Sequence, residues 1–156
     1  MPTYTAYTET AYTVITADTS TVMELLGSAN VTAKLVSFSV SFNGVSSTQE
    51  PILVKLRQIT ATGTGTACTE VADQRSGKTA PGCAAKHTLT VEPTMVATVA
   101  LGAWYVHPQG GSLTIQYPLG REPVVCDGSG SQGLALELTS ASGVTPKCVA
   151  AMTWEE

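Results

Sequence analysis

Apolar and polar residues alternate with a period of two through much of the chain, as they do in β-strands that have one buried face. The alternation is clearest between positions 33 and 42, where apolar residues at 36, 38, 40 and 42 alternate with Leu35 and three serines. This pattern predicts a strand on which the four even-numbered residues share the core face. Asn43 and Gly44, residues that tolerate the positive φ of a turn, follow at its end.

Six further segments alternate in this way or are rich in β-forming residues, and turn residues separate them. They are residues 52–59, 87–91, 96–106, 113–117, 134–138 and 148–154. In the first of them Lys55 and Arg57 occupy one face, so we expect that face to contact water. In the fifth, three leucines alternate with Ala135 and Glu137, which predicts a half-buried strand.

The N-terminal residues 3–16 combine tyrosine with many threonines, a composition of high β preference. The spacing between Tyr4, Tyr7 and Tyr12 drifts from three to five, so one face of a strand cannot hold all three rings. We therefore predict an extended N-terminal arm over residues 1–17 that becomes a strand near Tyr12. Terminal segments of this kind stay mobile unless something ties them down.

Three short stretches have a weaker pattern. Residues 18–26 suit a short helical turn capped by Asp18 or Thr19, or the link into the next strand. Residues 60–66 alternate Thr, Ala and Gly, so we expect a loop or a loose strand extension there. Residues 68–71 suit a short strand.

Eight or nine short strands with turns between them, and no alternation of strands with helices, indicate an all-β fold. The expected architecture is an antiparallel β-sandwich or jelly roll. A length of 156 residues is that of one domain, so we assign residues 18–156 to a single domain that follows the arm. A chain of this mass can bury about two-thirds of its surface, which gives it a core without metal ions.

The charge content is low, at 13% against about 25% in an ordinary domain. The net charge is −4 and the eight Lys and Arg are scattered singly, which argues against a nucleic-acid partner. No apolar run reaches the length of a membrane-spanning helix, and the first residues lack the basic and apolar regions of a secretory signal. A surface of Thr, Ser, Gly and Gln suits packing against other subunits, and it equally suits a solvated β surface.

The sequence indicates neither a cofactor nor a metal site. Residues 76–79, Ser-Gly-Lys-Thr, resemble the end of a phosphate-binding loop, but that motif requires glycine where the chain has Ala72. Structural zinc sites usually take ligands in closely spaced pairs. The four cysteines form no such pair, and His87 and His107 lie far apart in the sequence.

The four cysteines allow two disulfides in three pairings. They are Cys68, Cys83, Cys126 and Cys148. Pairing the first with the second and the third with the fourth closes the shortest loops. Buried thiols are an equally good interpretation, because no sequence feature shows an oxidising compartment.

No spacing marks a catalytic site, and we predict that the protein is not an enzyme. The chain has no G-x-S-x-G turn, and Glu122, which could pair with Asp127, is better interpreted as a salt-bridged loop residue. Trp104 and Trp154 are the largest apolar anchors. Packing in the core is the first interpretation of these two rings. Contact with another subunit is the second, and stacking on a sugar is the third.

Several segments, taken in order, carry a resemblance to a known group of proteins. They are 35–45, 51–56, the Gly-Thr repeat at 63–66, 91–94, Trp104 with Pro108, Gly110 and Gly111, 115–123, 133–138 and 149–156. Together they resemble small structural proteins encoded among the head genes of tailed bacteriophages, some of which are similar to trimeric jelly-roll capsid decoration (cement) proteins. The resemblance covers residues 33–156 and is most specific at Pro118-Leu-Gly-Arg-Glu-Pro123, whereas the cysteines and residues 73–86 have no place in it.

The resemblance implies a virion structural protein that binds the outer face of a phage head as a homotrimer, with the major capsid protein as its partner. It would lie on the capsid surface. Tyr4, Tyr7 and Tyr12 of the arm, together with Trp104 and Tyr105, are then candidates for the subunit or capsid interface, and the arm could add a strand to a neighbour's sheet.

Two other functions fit the same sequence. One is a carbohydrate- or receptor-binding β-sandwich module of a virion fibre or tail, in which Trp104, Tyr105 or Tyr117 stacks on a sugar ring. The other is a hydrolase on a jelly roll, which would depend on His87 or His107.

Overall fold

The computed structural model describes residues 1–8, 13–14, 18–43, 50–73, 80–125, 129–140 and 146–156, and their regular structure is entirely β. No helix suited to a membrane crossing occurs in these ranges. The strands are β1 (Thr3–Tyr7), β2 (Thr13–Val14), β3 (Asp18–Leu26), β4 (Ala33–Phe42), β5 (Ile52–Ala61), β6 (Thr64–Ala67), β7 (Val71–Ala72), β8 (Ala84–Val91), β9 (Thr94–Val106), β10 (Ser112–Gln116), β11 (Val124–Val125), β12 (Gly133–Ser140) and β13 (Lys147–Glu155).

The strands form two antiparallel sheets that pack together, which confirms the prediction of an all-β sandwich. The seven-stranded sheet has the order β10-β4-β13-β1-β7, with β11 also paired to β4 and β2 to β13. The six-stranded sheet has the order β6-β8-β3-β12-β5-β9. Side chains of the two inner faces fill one large core between them.

The N-terminal segment is part of this core. β1 lies between β13 and β7, and Tyr4, 1% exposed, stacks on the buried Trp154 at a centroid distance of 6.0 Å. The extended arm predicted over residues 1–17 is therefore not confirmed where the chain is described. The tyrosine at position 12 lies outside the described residues, but Thr13–Val14 directly after it form the strand β2, paired with β13, near the point at which the arm was expected to become a strand.

The helical turn considered for residues 18–26 is wrong, because this segment is the strand β3, paired with β12 and β8. A β-bulge explains why the sequence hid it. Met23 lies opposite Leu136 and Thr21 opposite Glu137, so Val22 is an extra residue that shifts the alternation by one position. The resulting run of apolar residues no longer has the period of a strand.

A second bulge changes the core face of β4. Opposite β4, the register shifts between Thr153 and Trp154, so that Leu35 turns into the core beside Phe38 while Val36 is only half-buried. The prediction that positions 36, 38, 40 and 42 share the core face holds for the last three. It fails at position 36 because a bulge reverses the direction of every side chain beyond it.

A ribbon of the chain crosses the outer face of the six-stranded sheet. We call residues 59–64 and 91–96 the crossing ribbon. Its two segments run antiparallel, with Ala61 opposite Thr94 and Thr64 opposite Val91. The ribbon joins β5 and β9 at one end of the strand order to β6 and β8 at the other. Residues 60–66 thus belong largely to strands, which agrees with the strand extension and not with the loop that the sequence also allowed.

Polar contacts hold the crossing ribbon to β3. The carboxylate of Glu24, fully buried, accepts hydrogen bonds from the hydroxyl of Thr62 at 2.5 Å and from the backbone N–H of Gly63 at 3.2 Å. The carboxylate of Glu92 accepts the backbone N–H of Thr21 at 2.9 and 3.1 Å. Because carboxylates accept hydrogen bonds strongly, these contacts fix the ribbon on the sheet.

The crossing ribbon explains why two sequence predictions fail. The outer face of β5 was expected to contact water, but Ile59 is only 2% exposed and packs with Leu26, Ala135 and Met95 under the ribbon. The strand β12 was expected to be half-buried and is buried on both faces. Its Glu137 pairs with two basic side chains of β5, Lys55 at 3.3 Å and Arg57 at 3.1 Å.

Candidate interaction surface

Two edge strands lie on the same side of the sandwich. β9 is the last strand of the six-stranded sheet, and β10 and β11 lie at the edge of the seven-stranded sheet beyond β4. A turn at 107–111 joins β9 to β10, and Trp104 packs on Phe38 of β4 at a centroid distance of 5.4 Å. We call the surface formed by residues 94–125 the β9–β10 side.

The β9–β10 side combines exposed apolar side chains with few charges, because Arg121 and Glu122, in the segment after β10, are its only charged residues. From Pro93 to Gly120 the sequence contains no Asp, Glu, Lys or Arg. Large hydrophobic side chains nevertheless reach solvent there, namely Val96, Leu101, Tyr105, Leu119 and Val124. The most exposed are Tyr105 at 73% and Leu119 at 90%. Depletion of charge and enrichment in aromatic residues are typical of the centre of protein interfaces.

The two aromatic residues predicted for an interface have different environments. Trp104 is half-buried, packs against the core, and lies so close to Gly102 that a side chain at position 102 would overlap its ring. Tyr105 is on the opposite face of the strand and points into solvent. Of the pair, Tyr105 is therefore the side chain that is available for contact with another molecule.

Leu119 lies at the tip of a well-ordered turn. The N–H of Arg121 donates to the carbonyl of Pro118 at 2.9 Å, and Gly120 has the positive φ, 83°, that the third position of such a turn requires. The carboxylate of Glu122 accepts the N–H of Gly120 at 2.7 Å. Glu122 is a loop residue, as expected, but within the described part of the chain its carboxylate binds the turn and forms no salt bridge. Residues 118–123, the segment in which the sequence resemblance is most specific, contain this exposed turn.

The opposite side of the sandwich has shorter edges. There β6 and β7, of four and two residues, end the two sheets. Exposed apolar side chains occur there too, and they are Met1, Tyr7, Val71 and Val91. Tyr7, at 45% exposure, is the only one of the three N-terminal tyrosines that the structure shows at the surface; Tyr4 is in the core and Tyr12 lies outside the described residues.

The described cysteines are buried thiols. Cys68, Cys83 and Cys148 all belong to the core, and they are not half-cystines of one another. Burial raises the pKa of Cys148 to about 12, because the thiolate loses its hydration. Cys126 lies outside the described residues.

Residues considered for chemistry are separated in space or lie outside the described ranges. His87 is 5% exposed, with its Nδ1 2.8 Å from the hydroxyl of Thr88, whereas His107 is exposed and accepts the N–H of Gln109 at 3.1 Å. The described residues contain no group of three metal-binding side chains. Residues 76–79 and the residue at 127 fall outside them.

A small cavity opens beside the β9–β10 side. Its volume is about 160 Å³ and its lining includes Gln58, Ile59, Val96 and Val125. Pockets for small organic ligands usually measure about 300–1,000 Å³. This cavity is therefore too small to enclose a ligand of that class.

Comparisons with protein-family models, with curated proteins and with solved structures found no match to this chain.

Proposed function

We propose that this chain is a virion structural protein, a capsid decoration (cement) protein that binds the outer face of a tailed-phage head as a homotrimer. The sequence resemblance suggests this role. The structural observation that carries it is the placement of exposed apolar side chains on both lateral sides of the sandwich. A protein that joins neighbouring subunits needs contact surfaces on more than one side.

The chemistry of the surface supports an assembly role. With twelve acidic and eight basic residues in 156, the chain has few charges to desolvate when it packs against other proteins. Weak contacts that repeat over a symmetric shell add through avidity, so no single contact has to be strong. A structural role of this kind also agrees with the proposal that the protein is not an enzyme and acts without a cofactor.

The crossing ribbon supports a jelly-roll organisation. It is a long antiparallel pair whose halves belong to opposite ends of one sheet, so the ribbon folds across the sandwich. Jelly rolls are double-sheet folds built from Greek keys and occur widely in viral capsids. We therefore propose that the sandwich is a jelly roll.

We assign the capsid contact to the opposite side, where Tyr7 and Val71 are exposed. The test is sedimentation of the purified protein with capsids that lack it. Wild-type protein is expected to co-sediment at a fixed ratio per capsid. Tyr7→Lys is expected to bind weakly, whereas Thr19→Lys, which also places lysine at an exposed position on a strand, binds like wild type.

Two results would overturn these statements. Wild-type protein that stays in the supernatant at every concentration contradicts the decoration function. Tyr7→Lys that binds as tightly as wild type contradicts the assignment of the capsid contact and leaves the function intact.

The second candidate is a carbohydrate- or receptor-binding module of a virion fibre or tail. The exposure of the Tyr105 ring, 73%, favours it, because an exposed aromatic face can stack on a sugar. Glycan-array binding that is lost in Tyr105→Ala would replace the decoration function with this one. The absence of binding to any glycan would remove it.

A further inference from the structure

The edge strands of the β9–β10 side lack charged residues and proline, two of the features that keep sheet edges apart, although the register between β5 and β9 shifts at three places after Leu56. Natural sheets protect their edges with charged residues, proline, bulges pointing outward or very short strands. β9 has 13 residues and β10 has five, and neither contains a charged residue or a proline. The edges on the opposite side, β6 and β7, are protected by their shortness. The regular part of β9, residues 102–106, and β10 are therefore open to strand pairing, whereas β6 and β7 are not.

We propose that the β9–β10 side is the surface on which copies of this chain meet. A second copy fits the chemistry of this side better than a different partner does. The strands β9 and β10 offer no charge that a charged partner could recognise, whereas their backbone donors and acceptors and the exposed apolar side chains match the same features on another copy.

The size of the β9–β10 side suits a stable contact. β9 pairs with β5 over Ile52–Ala61, which at about 3.3 Å per residue gives a length of about 33 Å. Two sheets stacked about 10 Å apart, with their side chains, give a width of about 20 Å. Two copies would then bury about 1,300 Å² together, above the roughly 1,000 Å² that specific interfaces need.

The exposed side chains supply the anchors of this contact. Tyr105 on β9 and Leu119 on the turn after β10 project from the two sheets of the same side. Hydrogen bonds within the turn hold Leu119 in place before any partner binds, which lowers the entropy cost of association. The ring of Trp104, on the inner face of β9, packs on Phe38 and fixes this part of the strand on the core.

The test is light scattering on purified full-length protein over a concentration series. Tyr105→Lys introduces a charge on the surface, near its 107–111 end, without touching the core, since the side chain is 73% exposed. We expect the dissociation constant to rise by about 30-fold or more, as for an interface hot spot. Thr114→Lys, at an exposed position of β10, is expected to act in the same direction. Thr19→Lys on β3 is the matched control and is expected to assemble like wild type.

Circular dichroism and thermal unfolding check that each variant is folded. A wild-type protein that is monomeric at every concentration would overturn the inference, and so would assembly of folded Tyr105→Lys and Thr114→Lys at wild-type affinity. The assembly test and the capsid-binding test can fail independently of each other. Copies that associate through this side without binding capsids contradict only the function. Capsid binding by a protein that stays monomeric contradicts the inference and the homotrimer, and leaves the decoration role itself intact.

Discussion

At the scale of single residues, similar side chains have different roles according to where the sheets place them. Tyr4 and Tyr7 are three positions apart on one strand, yet the first is buried against Trp154 and the second is half exposed. Trp104 and Tyr105 are adjacent, and the alternation of the strand turns one toward Phe38 and the other into solvent. A tyrosine or tryptophan in this sequence therefore indicates a large apolar contact, but the sequence alone does not show whether that contact lies in the core or at the surface.

The buried thiol of Cys148 gives a prediction about pH. Its pKa is raised from about 9 to about 12, so the unfolded chain ionises first and the folded state loses relative stability as the pH rises through this window. The contribution of the buried, protonated Cys148 thiol to stability is fully present below pH 9. Each pH unit within the window lowers the free energy of unfolding by about 1.4 kcal/mol on account of this group.

The measurement is urea unfolding of wild type and Cys148→Ala at two pH values inside the window. Other groups that titrate there affect both proteins alike, so the difference between the two proteins isolates the thiol. The stability gap should narrow as the pH rises. A gap that is independent of pH would contradict the burial of the thiol.

At the scale of elements, the crossing ribbon requires a residue without a side chain at position 63. A Cβ on Gly63 would overlap the side chain of Leu89 and the carbonyl oxygen of Val91, and would lie 3.1 Å from the backbone nitrogen of Pro93. The two segments of the ribbon can approach each other only because this residue is glycine. The Gly-Thr repeat at 63–66 is thus adapted to close packing of backbones.

We predict that Gly63→Ala lowers the free energy of unfolding by about 2 kcal/mol, because the neighbouring segment has to move. Thr64→Ala, at the adjacent exposed position, should change it by less than about 0.5 kcal/mol. Chemical denaturation of both variants provides the measurement. Equal stability of the two would show that the ribbon does not pack closely at this point.

At the scale of the whole molecule, the N-terminal and C-terminal strands support one another. β1 pairs with β13 over five residues, and the side chain of Glu156 accepts hydrogen bonds from the N–H groups of Gly82 and Cys83 at 2.8 Å each and from the indole N–H of Trp154 at 3.0 Å. These contacts join the two ends of the chain to the start of β8. The strand β1 is therefore an integral part of the sandwich.

We expect Tyr4→Ala to lower the free energy of unfolding by about 4 kcal/mol, because it removes a fully buried aromatic side chain. Tyr7→Ala, on the same strand but half exposed, should cost less than about 1 kcal/mol. Thermal and denaturant unfolding of both variants measure the difference. Similar small effects of the two substitutions would support a mobile N-terminal arm instead.

The sequence by itself determined the class of the fold and most of the strands. A period of two in segments such as 52–59 and 148–154 follows directly from the geometry of a strand with one face on a core, so it is visible without tertiary information. The low charge and the candidate Tyr105 were visible in the same way. Local patterns suffice to predict a strand wherever one of its faces packs on a core and the other faces solvent.

Only the tertiary structure decided which residues of each strand face the core and whether the outer face of the strand is buried. Bulges at Val22 and Val36 shift the alternation, and a bulge depends on the partner strand as much as on its own sequence. The crossing ribbon buries Ile59 and Ala135 on a face that the local pattern assigns to solvent. The β9–β10 side depends on the tertiary structure as well, because pairing between distant segments leaves two uncharged strands at neighbouring edges.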